Sequence, residues 1–329
     1  MKVSIIIPLY KSEKYIRKLA DSILNQTYRD LEVVFIDDGS PDRSGIIADE
    51  YAKKDSRFKS FHQKNEGTCS ARNKGLLEAT GEYIMFADGD DWLESDCVEY
   101  LVSILEDNNA DMSMTDSIFT TRDRKQNDTD NVRIWTNKEA VAGIINTFII
   151  PVGPWNKLYK ANIIKENHIT FSVAWFGEGL YFSAMVAQAS PRVAVGHRKV
   201  YDYRLNNPNS GCTQREVKNG ISSLNNIFYI KDQIKLQSPE ITEAFNWHIW
   251  TNYFNLLMYI VGAKEEMKYY EELLKAKKEL KRYAPLVIKH SHLSSKQKIG
   301  IVLKSYLPVY FAKRSLQNAE KAFAKDTME

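Results

Sequence analysis

Strand-like and helix-like stretches alternate four times within about the first 110 residues, an order that few architectures accept. Val3 to Leu9 is a short β-branched run that closes on Pro8-Leu9-Tyr10 and reads as a fully buried strand. The spacing predicts a helix over Ser12 to Gln26, with Ile16, Leu19, Ala20, Ile23 and Leu24 on one face and Ser12 as its cap. Leu31 to Ile36 is a second strand, stopped by Asp37-Asp38-Gly39-Ser40-Pro41-Asp42. Helix 43–54, strand Arg57 to His62, helix Thr68 to Ala79, strand Tyr83 to Ala87 and helix 95–106 follow. Asp111 to Phe119 reads as a fifth strand. This order predicts an α/β fold, a doubly wound and mostly parallel sheet. Its ligands bind beyond the carboxyl ends of the strands, where Tyr10, Asp37, Asp38 and Asp88 all fall.

Composition narrows the remainder. The chain has 329 residues, enough for one large domain and an appendage. We expect a domain over 1–215, with halves 1–118 and 119–215, and a helical region over 216–329. Within the latter, Asn225 to Gln233, Glu243 to Val261 and Lys264 to Arg282 have helical apolar spacing. The polar stretch Thr120 to Asn131 reads as a mobile loop or hairpin tip. A net charge of +3 argues against nucleic acid as a partner. Cys69, Cys97 and Cys212 lack metal spacing and suggest a reducing compartment. The N-terminal apolar run is too short for a signal peptide, and no run of about 18 apolar residues is present to span a bilayer. A cytoplasmic protein is expected, with attachment to the inner face of the cell membrane left open.

Three motifs carry chemistry. The strand Tyr83 to Met85 runs into Phe86-Ala87-Asp88-Gly89-Asp90-Asp91, which places three carboxylates within four residues. Like charges this close repel unless a cation or donor shares them, and a hard divalent ion would do so while also holding a diphosphate. A blander reading makes Asp91 a helix cap, since Asp91 and Glu94 have capping-box spacing, but it leaves Asp88 and Asp90 unexplained. Asp37-Asp38-Gly39-Ser40 can accept hydrogen bonds from a base and a ribose, or can simply form the turn before helix 43–54. Arg72, in the first turn of the helix after Asn65-Glu66-Gly67, can reach back toward a nucleotide.

Together, Pro8-Leu9-Tyr10, Asp37-Asp38-Gly39-Ser40, Ser70-Ala71-Arg72-Asn73-Lys74-Gly75 and Asp88-Gly89-Asp90-Asp91 resemble the family 2 glycosyltransferases in order and spacing. The likeness continues weakly through Gly153-Pro154-Trp155-Asn156-Lys157 and Tyr201-Asp202-Tyr203-Arg204, and the helical tail is loosely similar to those of bacterial capsule and exopolysaccharide enzymes. The resemblance implies a GT-A fold (Rossmann-like, with a C-terminal helical extension), a nucleotide-diphosphate sugar donor, a divalent metal (Mn2+ or Mg2+) and inversion at the anomeric carbon. It implies that Pro8 and Tyr10 wall the base, with the Tyr10 ring stacked on it, and that Asp38, beside Asp37, binds the base edge. Arg72 would support the base or ribose. Asp88, with Gly89, would sit at the ribose and metal, Asp90 would ligate the metal, and Asp91 would face the acceptor.

An inverting transfer needs a base for the acceptor hydroxyl. In the family this is usually the Asp of a Glu-Asp pair, and here Gly179 stands in its place after Glu178. Glu178 is the only carboxylate between Glu166 and Asp202 and lies in an aromatic, glycine-flanked segment, where partial burial raises a carboxyl pKa. We therefore assign it the base; the alternative is a structural carboxylate in a non-catalytic nucleotide-sugar-binding protein. Trp155, flanked by Asn156 and Lys157, is a stacking platform for an acceptor sugar or else a core residue. Arg204 and Ser210 can clamp the diphosphate from a lid. His197, a lone histidine, is more often structural than a metal ligand.

Residues 289–316 carry Lys289, Lys296, Lys298, Lys304, Lys313 and Arg314 with no acidic residue, interleaved with Ile299, Ile301, Val302, Leu303, Tyr306, Leu307, Val309, Tyr310 and Phe311. Such a stretch either lies on an anionic bilayer, which suits a lipid-linked acceptor, or packs on protein, in the same chain or in a homodimer. The expected activity is extension of a bacterial surface polysaccharide from a UDP-sugar. A sugar-phosphate nucleotidyltransferase would need a glycine-rich phosphate loop after the first strand, which Pro8-Leu9-Tyr10-Lys11-Ser12 does not supply. The absence of spanning runs excludes a membrane-embedded processive synthase.

Overall fold

The structure, a computed structural model, describes residues 1–173, 177–205, 207, 216–289 and 293–326. The chain divides into two compact units, Met1–Val173 with Glu178–Leu205, and a second from Asn206 onward that takes in the short stretch before Glu178. In the first unit the order is β1 (Val3–Leu9), α1 (Ile16–Leu24), β2 (Leu31–Asp37), α2 (Ser44–Lys54), β3 (Phe58–His62), α3 (Thr68–Glu78), β4 (Tyr83–Phe86), β5 (Trp92–Leu93) and α4 (Cys97–Glu106). There follow β6 (Met112–Thr115), β7 (Phe119–Thr120), β8 (Val132–Thr136), α5 (Asn137–Ile145), β9 (Lys157–Lys160), α6 (Ala161–Glu166), α7 (Glu178–Gln188), β10 (Arg192–Gly196) and β11 (Tyr201–Tyr203).

The main sheet has the strand order β3-β2-β1-β4-β9-β6-β10-β8. The four strands β3, β2, β1 and β4 are mutually parallel, as the alternation predicts. The period-2 geometry of β1 explains the helices on both of its faces. Val3, Ile5, Ile7 and Leu9 share a core with Ile16, Leu19, Ala20 and Ile23 of α1. Ile6 points the other way, onto α3, where a Cβ on Gly75 would come within 2.2 Å of its Cγ2. β9 interrupts the parallel run, lying antiparallel between β4 and β6; β6 and β10 are again parallel, and β8 forms an antiparallel edge on β10. A second sheet, β5-β11-β7, sits beyond the end of β4.

The expected Ser12 cap and the blander capping-box reading of Asp91 both fail for the same reason: the helices start later. Ser12 does not cap α1 with its side chain; its carbonyl accepts from the amides of Tyr15 and Ile16, and its own amide donates to Ser44 Oγ at 2.8 Å. Asp91 is no capping-box residue, because β5 intervenes and α4 begins at Cys97 after Asp96. The polar segment 120–131 is tied down at Arg124, which ion-pairs with Asp202 and Glu94, and at Asp123, which receives Lys199 at 2.7 Å.

In the second unit the helices are α8 (Val217–Gln233), α9 (Pro239–Ala263), α10 (Tyr270–Ile288), α11 (Ser295–Tyr306) and α12 (Pro308–Asp326). Ser238 caps α9, and Ser294 with Gln297 forms a capping box at α11. Lys264, expected to open a helix, instead closes α9 in the left-handed conformation (φ 57°), and α10 starts at Tyr270. Among the described residues no helix is long and apolar enough to cross a membrane.

One buried carboxylate ties the parallel strands together. Glu32 on β2 accepts from Ser4 of β1, from Lys59 of β3 at 2.8 Å and from Thr80 and Gly81 ahead of β4. Burial opposes its charge, but the Lys59, Ser4 and Thr80 donors prevail and hold it down at about 2. A depressed pKa contributes stability above the unfolded-state value, and that contribution is lost as pH falls toward about 2. We expect Glu32→Gln to lower unfolding stability by about 1–3 kcal/mol at neutral pH and by less in acid, which urea titrations at two pH values will measure.

Candidate active site

The carboxyl ends of β1, β2, β3 and β4 form one rim. Tyr10 follows β1 with its ring 46% exposed, and Pro8 is half-buried two residues before it. At the end of β2, Asp37 and Asp38 turn in opposite directions. Asp37 accepts from the Ser40 amide at 3.1 Å and lies 3.0 Å from His62 Nδ1. Asp38 accepts from Gln63 and the Glu66 amide through Oδ1, and from the Gly67 amide through Oδ2 at 2.8 Å. Both carboxylates are buried, so their first task here is to shape the loops around them. Oδ2 of Asp38 accepts one donor, where a carboxylate oxygen can accept two.

At the end of β4, Asp88, Asp90 and Asp91 differ in environment. Asp91 is buried; Tyr201 donates its hydroxyl to Oδ2 at 2.7 Å and the Arg204 amide donates to Oδ1 at 2.8 Å. Burial, then the Asp90 and Asp88 charges, push Asp91 well above the ordinary carboxylate range. The expectation that Asp91 faces an acceptor is corrected: its side chain points inward and anchors β11. Gly89 is also buried, and a Cβ there would come within 2.7 Å of Ser12 Oγ. Asp88 and Asp90 remain half-exposed.

Arg72, on α3, lies at the centre. It is buried, and it donates through Nη2 to Asp88 Oδ1 at 2.8 Å and through Nη1 to Glu178 Oε1 at 3.1 Å. Its guanidinium carbon lies 5.3 Å from the centre of the Phe171 ring. Burial works against the positive charge, but the Asp88 and Glu178 carboxylates outweigh it and raise the guanidinium above its ordinary value. Asn73, one residue on, brackets the Phe171 backbone with two hydrogen bonds and so fastens α3 to the segment leading toward Glu178.

Glu178 is the first residue of α7, where a helix N-terminus favours negative charge. A Cβ on Gly179 would meet Pro154 Cδ at 2.5 Å. Pro154 is held in place: Tyr159 donates to its carbonyl at 2.9 Å, and Lys157 Nζ donates to the carbonyls of Pro151, Gly153 and Trp155 and to Asn156 Oδ1. The space beside position 179 is therefore closed by a rigid loop.

Three acceptor assignments are corrected. Trp155 is only 8% exposed, and Asn156 and Lys157 are fully buried. Trp155 stacks on Tyr201 at 5.0 Å and on Tyr203 at 5.2 Å. Asn156 donates to Thr115, and Lys157, pushed well below its ordinary pKa by burial, is the hub of the 151–157 loop. Of the two lid residues, Arg204 donates Nε to the Asp90 carbonyl at 2.8 Å and stacks over Tyr15 at 4.5 Å, whereas Ser210 lies outside the described residues. His197 pairs with Asp116 at 2.8 Å.

Sequence reasoning missed Lys18 and Trp92. Lys18 Nζ sits 3.1 Å from the Trp92 ring centre, and Arg204 and Arg124 lie 5.1 and 5.7 Å from it. Burial and then the Arg204 and Arg124 charges lower Lys18, with Glu94 opposing them. No local pattern signals it, because the three cations come from distant parts of the chain. Tyr201 was visible only as part of a Tyr-Asp-Tyr-Arg string.

Among the described residues no group of three or more His, Cys, Asp or Glu side chains is arranged to hold a metal. Asp88 and Asp90 nevertheless fit a hard cation that takes one or two carboxylates and completes its shell with phosphate and water oxygens.

Both ring nitrogens of His62 face carboxylates at 3.0 Å, Asp37 Oδ2 and Asp49 Oδ1. The ring can donate to both only when protonated, and the Asp37 bond leads in raising its pKa. That contribution is complete below the ordinary imidazole range and is lost as pH rises through the raised value. The thermal midpoint of the wild type should fall more than that of His62→Gln between about pH 6 and about pH 9; parallel curves would rule out the doubly bonded imidazolium.

Residues 4–171 match the family model described as glycosyl transferase family 2. The chain is 33% identical over 216 residues to glycosyltransferase GlyA of Streptococcus pneumoniae serotype 4, covering 62% of this chain and 30% of that protein. It is 35% identical over 216 residues to EpsJ of Bacillus subtilis, described as an uncharacterized glycosyltransferase, covering 63% and 62%. The matched part thus spans less than two thirds of either relative. Staphylococcus aureus TarS 1–349, solved with UDP-GlcNAc, shares the fold with a TM-score of 0.65 at 18% identity, covering 96% of this chain and 92% of that one. With a family model matching half of its length on top of this fold and rim, the chain belongs to glycosyl transferase family 2.

Proposed function

We propose that the chain transfers a sugar, with inversion, from a nucleotide-diphosphate donor, most simply a UDP-sugar, to a glycan or lipid-linked acceptor of bacterial surface polysaccharide synthesis. The observation that carries this reading is Arg72 joining Asp88 and Glu178, because it brings a carboxylate of the donor rim beside the only carboxylate available in the expected base segment. The UDP-GlcNAc bound to TarS supports the donor class.

In this reading the base of the donor lies on the exposed Tyr10 ring, with Pro8 behind it and Asp38 accepting its N–H. Asp37 holds the Asp38 loop. Arg204 and Lys18 face the diphosphate as cations with aromatic backing. Asp88 and Asp90 would hold a divalent cation, which supplies charge neutralisation to the departing diphosphate. Arg72 orients Glu178. Glu178 takes the proton of the acceptor hydroxyl as its oxygen bonds to the anomeric carbon, and the bond from that carbon to the diphosphate oxygen breaks on the opposite side. The product is the extended glycan and a nucleoside diphosphate. Gly179 cannot share the work, since Pro154 fills the room a side chain would need.

One observation favours a second reading. Arg72 already occupies Oε1 of Glu178, as it would for a structural carboxylate in a donor-binding protein without turnover. A panel of UDP- and GDP-sugars with Mn2+ separates the two. One donor should raise the thermal midpoint of wild type and Glu178→Gln alike, while nucleotide release by the variant falls about a hundred- to ten-thousand-fold. Donor binding with no release by wild type, even with a lipid-linked acceptor, would hand the case to the binding protein. Chelation should abolish release, added Mn2+ should restore it, and Asp90→Asn should raise the Mn2+ concentration required; full activity in chelator would remove the metal from the scheme.

A further inference from the structure

Helix α11 is apolar on two opposite sides. Its inner side carries Ile301 and Ser305, both buried, and Ser305 Oγ receives Trp250 Nε1 at 2.9 Å. The buried Ala312 of α12 extends this packed side. On the outer side, Ile299, Val302, Leu303, Tyr306, Leu307 and Tyr310 recur at steps of 3, 1, 3, 1 and 3, the 3- and 4-residue spacing of a helical stripe, and each is between 39% and 63% exposed. The inner side already docks the helix, so the stripe is not needed for folding. A contiguous apolar row of this length facing water marks a surface that is covered in use.

Charge identifies what covers it. Between Glu279 and Glu320 the chain holds eight lysines and arginines and no carboxylate. Lys296, Lys313 and Arg314 are exposed, and Lys281 Nζ sits 5.5 Å from the Tyr306 ring. A second copy of the chain would set this basic patch against itself, because a two-fold interface pairs the same surface with its equal, and like charges would meet. An anionic lipid surface answers both features: acyl chains take the apolar stripe and headgroups take the cations. Tyr306 and Tyr310 are amphipathic rings of the kind that settle at headgroup level. A helix of 12 residues is too short to span a bilayer and long enough to lie in its interface.

We propose that α11 and the first turn of α12 form a docking face for an anionic membrane surface, held by the Ile299–Tyr310 stripe and its surrounding lysines and arginines. This inference stands apart from the transferase reading and uses none of the rim residues.

The test is co-sedimentation of the whole chain with vesicles of phosphatidylcholine, alone or with about one third phosphatidylglycerol, at low and high salt. Wild type should bind the anionic vesicles about tenfold or more better than the neutral ones, and salt should weaken the binding. The triple variant Ile299→Ser, Leu303→Ser, Tyr306→Ser and the charge variant Lys296→Glu, Lys313→Glu, Arg314→Glu should each lose about tenfold or more. All six positions are exposed, so melting curves should stay unchanged, and the lipid and salt dependence of wild type decides the matter without any variant. Equal binding to both vesicle types, or none to either, overturns the proposal. So does a dimer in light scattering that the triple variant dissolves while wild type ignores vesicles, which would assign the stripe to self-association.

Discussion

The geometry of the rim depends on one buried cation. Arg72 is a charge out of water, and such a group is tolerable only where opposite charges and hydrogen bonds surround it. Asp88 and Glu178 meet that requirement, one from the end of β4 and the other from the start of α7. The two carboxylates are brought together because each needs the same guanidinium. Phe171 lies against the guanidinium within a packed aromatic group that includes Phe86 and Phe182. Removing either carboxylate leaves the other to balance a buried charge alone.

A second set of contacts sets the height of the acidic loop. Asp91 turns inward to Tyr201 and the Arg204 amide, and Trp155 stacks behind Tyr201. Asp88 and Asp90 are left outward. The trio of carboxylates thus splits into an inner anchor and an outer pair whose charges still press on Asp91. The 151–157 loop, gathered around Lys157, supports Trp155 on one side and presents Pro154 to Gly179 on the other. The same buried lysine therefore stabilises the backing of the acidic loop and closes the space beside Gly179.

Much of the first unit was legible from local pattern. β-Branched runs buried on both faces can only be inner strands, and helical spacing between them forces parallel pairing. The rim positions of Tyr10, Asp37, Asp38, Asp88 and Arg72 follow from that order. Less legible was the direction of each side chain at the rim. Asp91 and Asp88 are three residues apart, yet one is an anchor and the other faces outward, because β11 arrives from more than a hundred residues away to claim Asp91. For Trp155 the core alternative holds, and Asn156 and Lys157, expected beside an acceptor, are interior as well, since the carbonyls that satisfy Lys157 come from its own loop.

By itself the sequence determined the alternation of strand and helix that makes the sheet doubly wound and mostly parallel, the place of the carboxylates at strand ends, the glycine that follows Glu178 and the basic, apolar character of residues 289–316. These are properties of short segments, written in periodicity and in residue type. Only the tertiary structure decided that Arg72 joins Asp88 to Glu178, that Lys18 and Arg204 share Trp92, and that the stripe of α11 faces outward while its other side is packed. Each of those depends on desolvation and charge pairing between segments far apart in the chain, and no local pattern encodes which distant partner will satisfy a buried group.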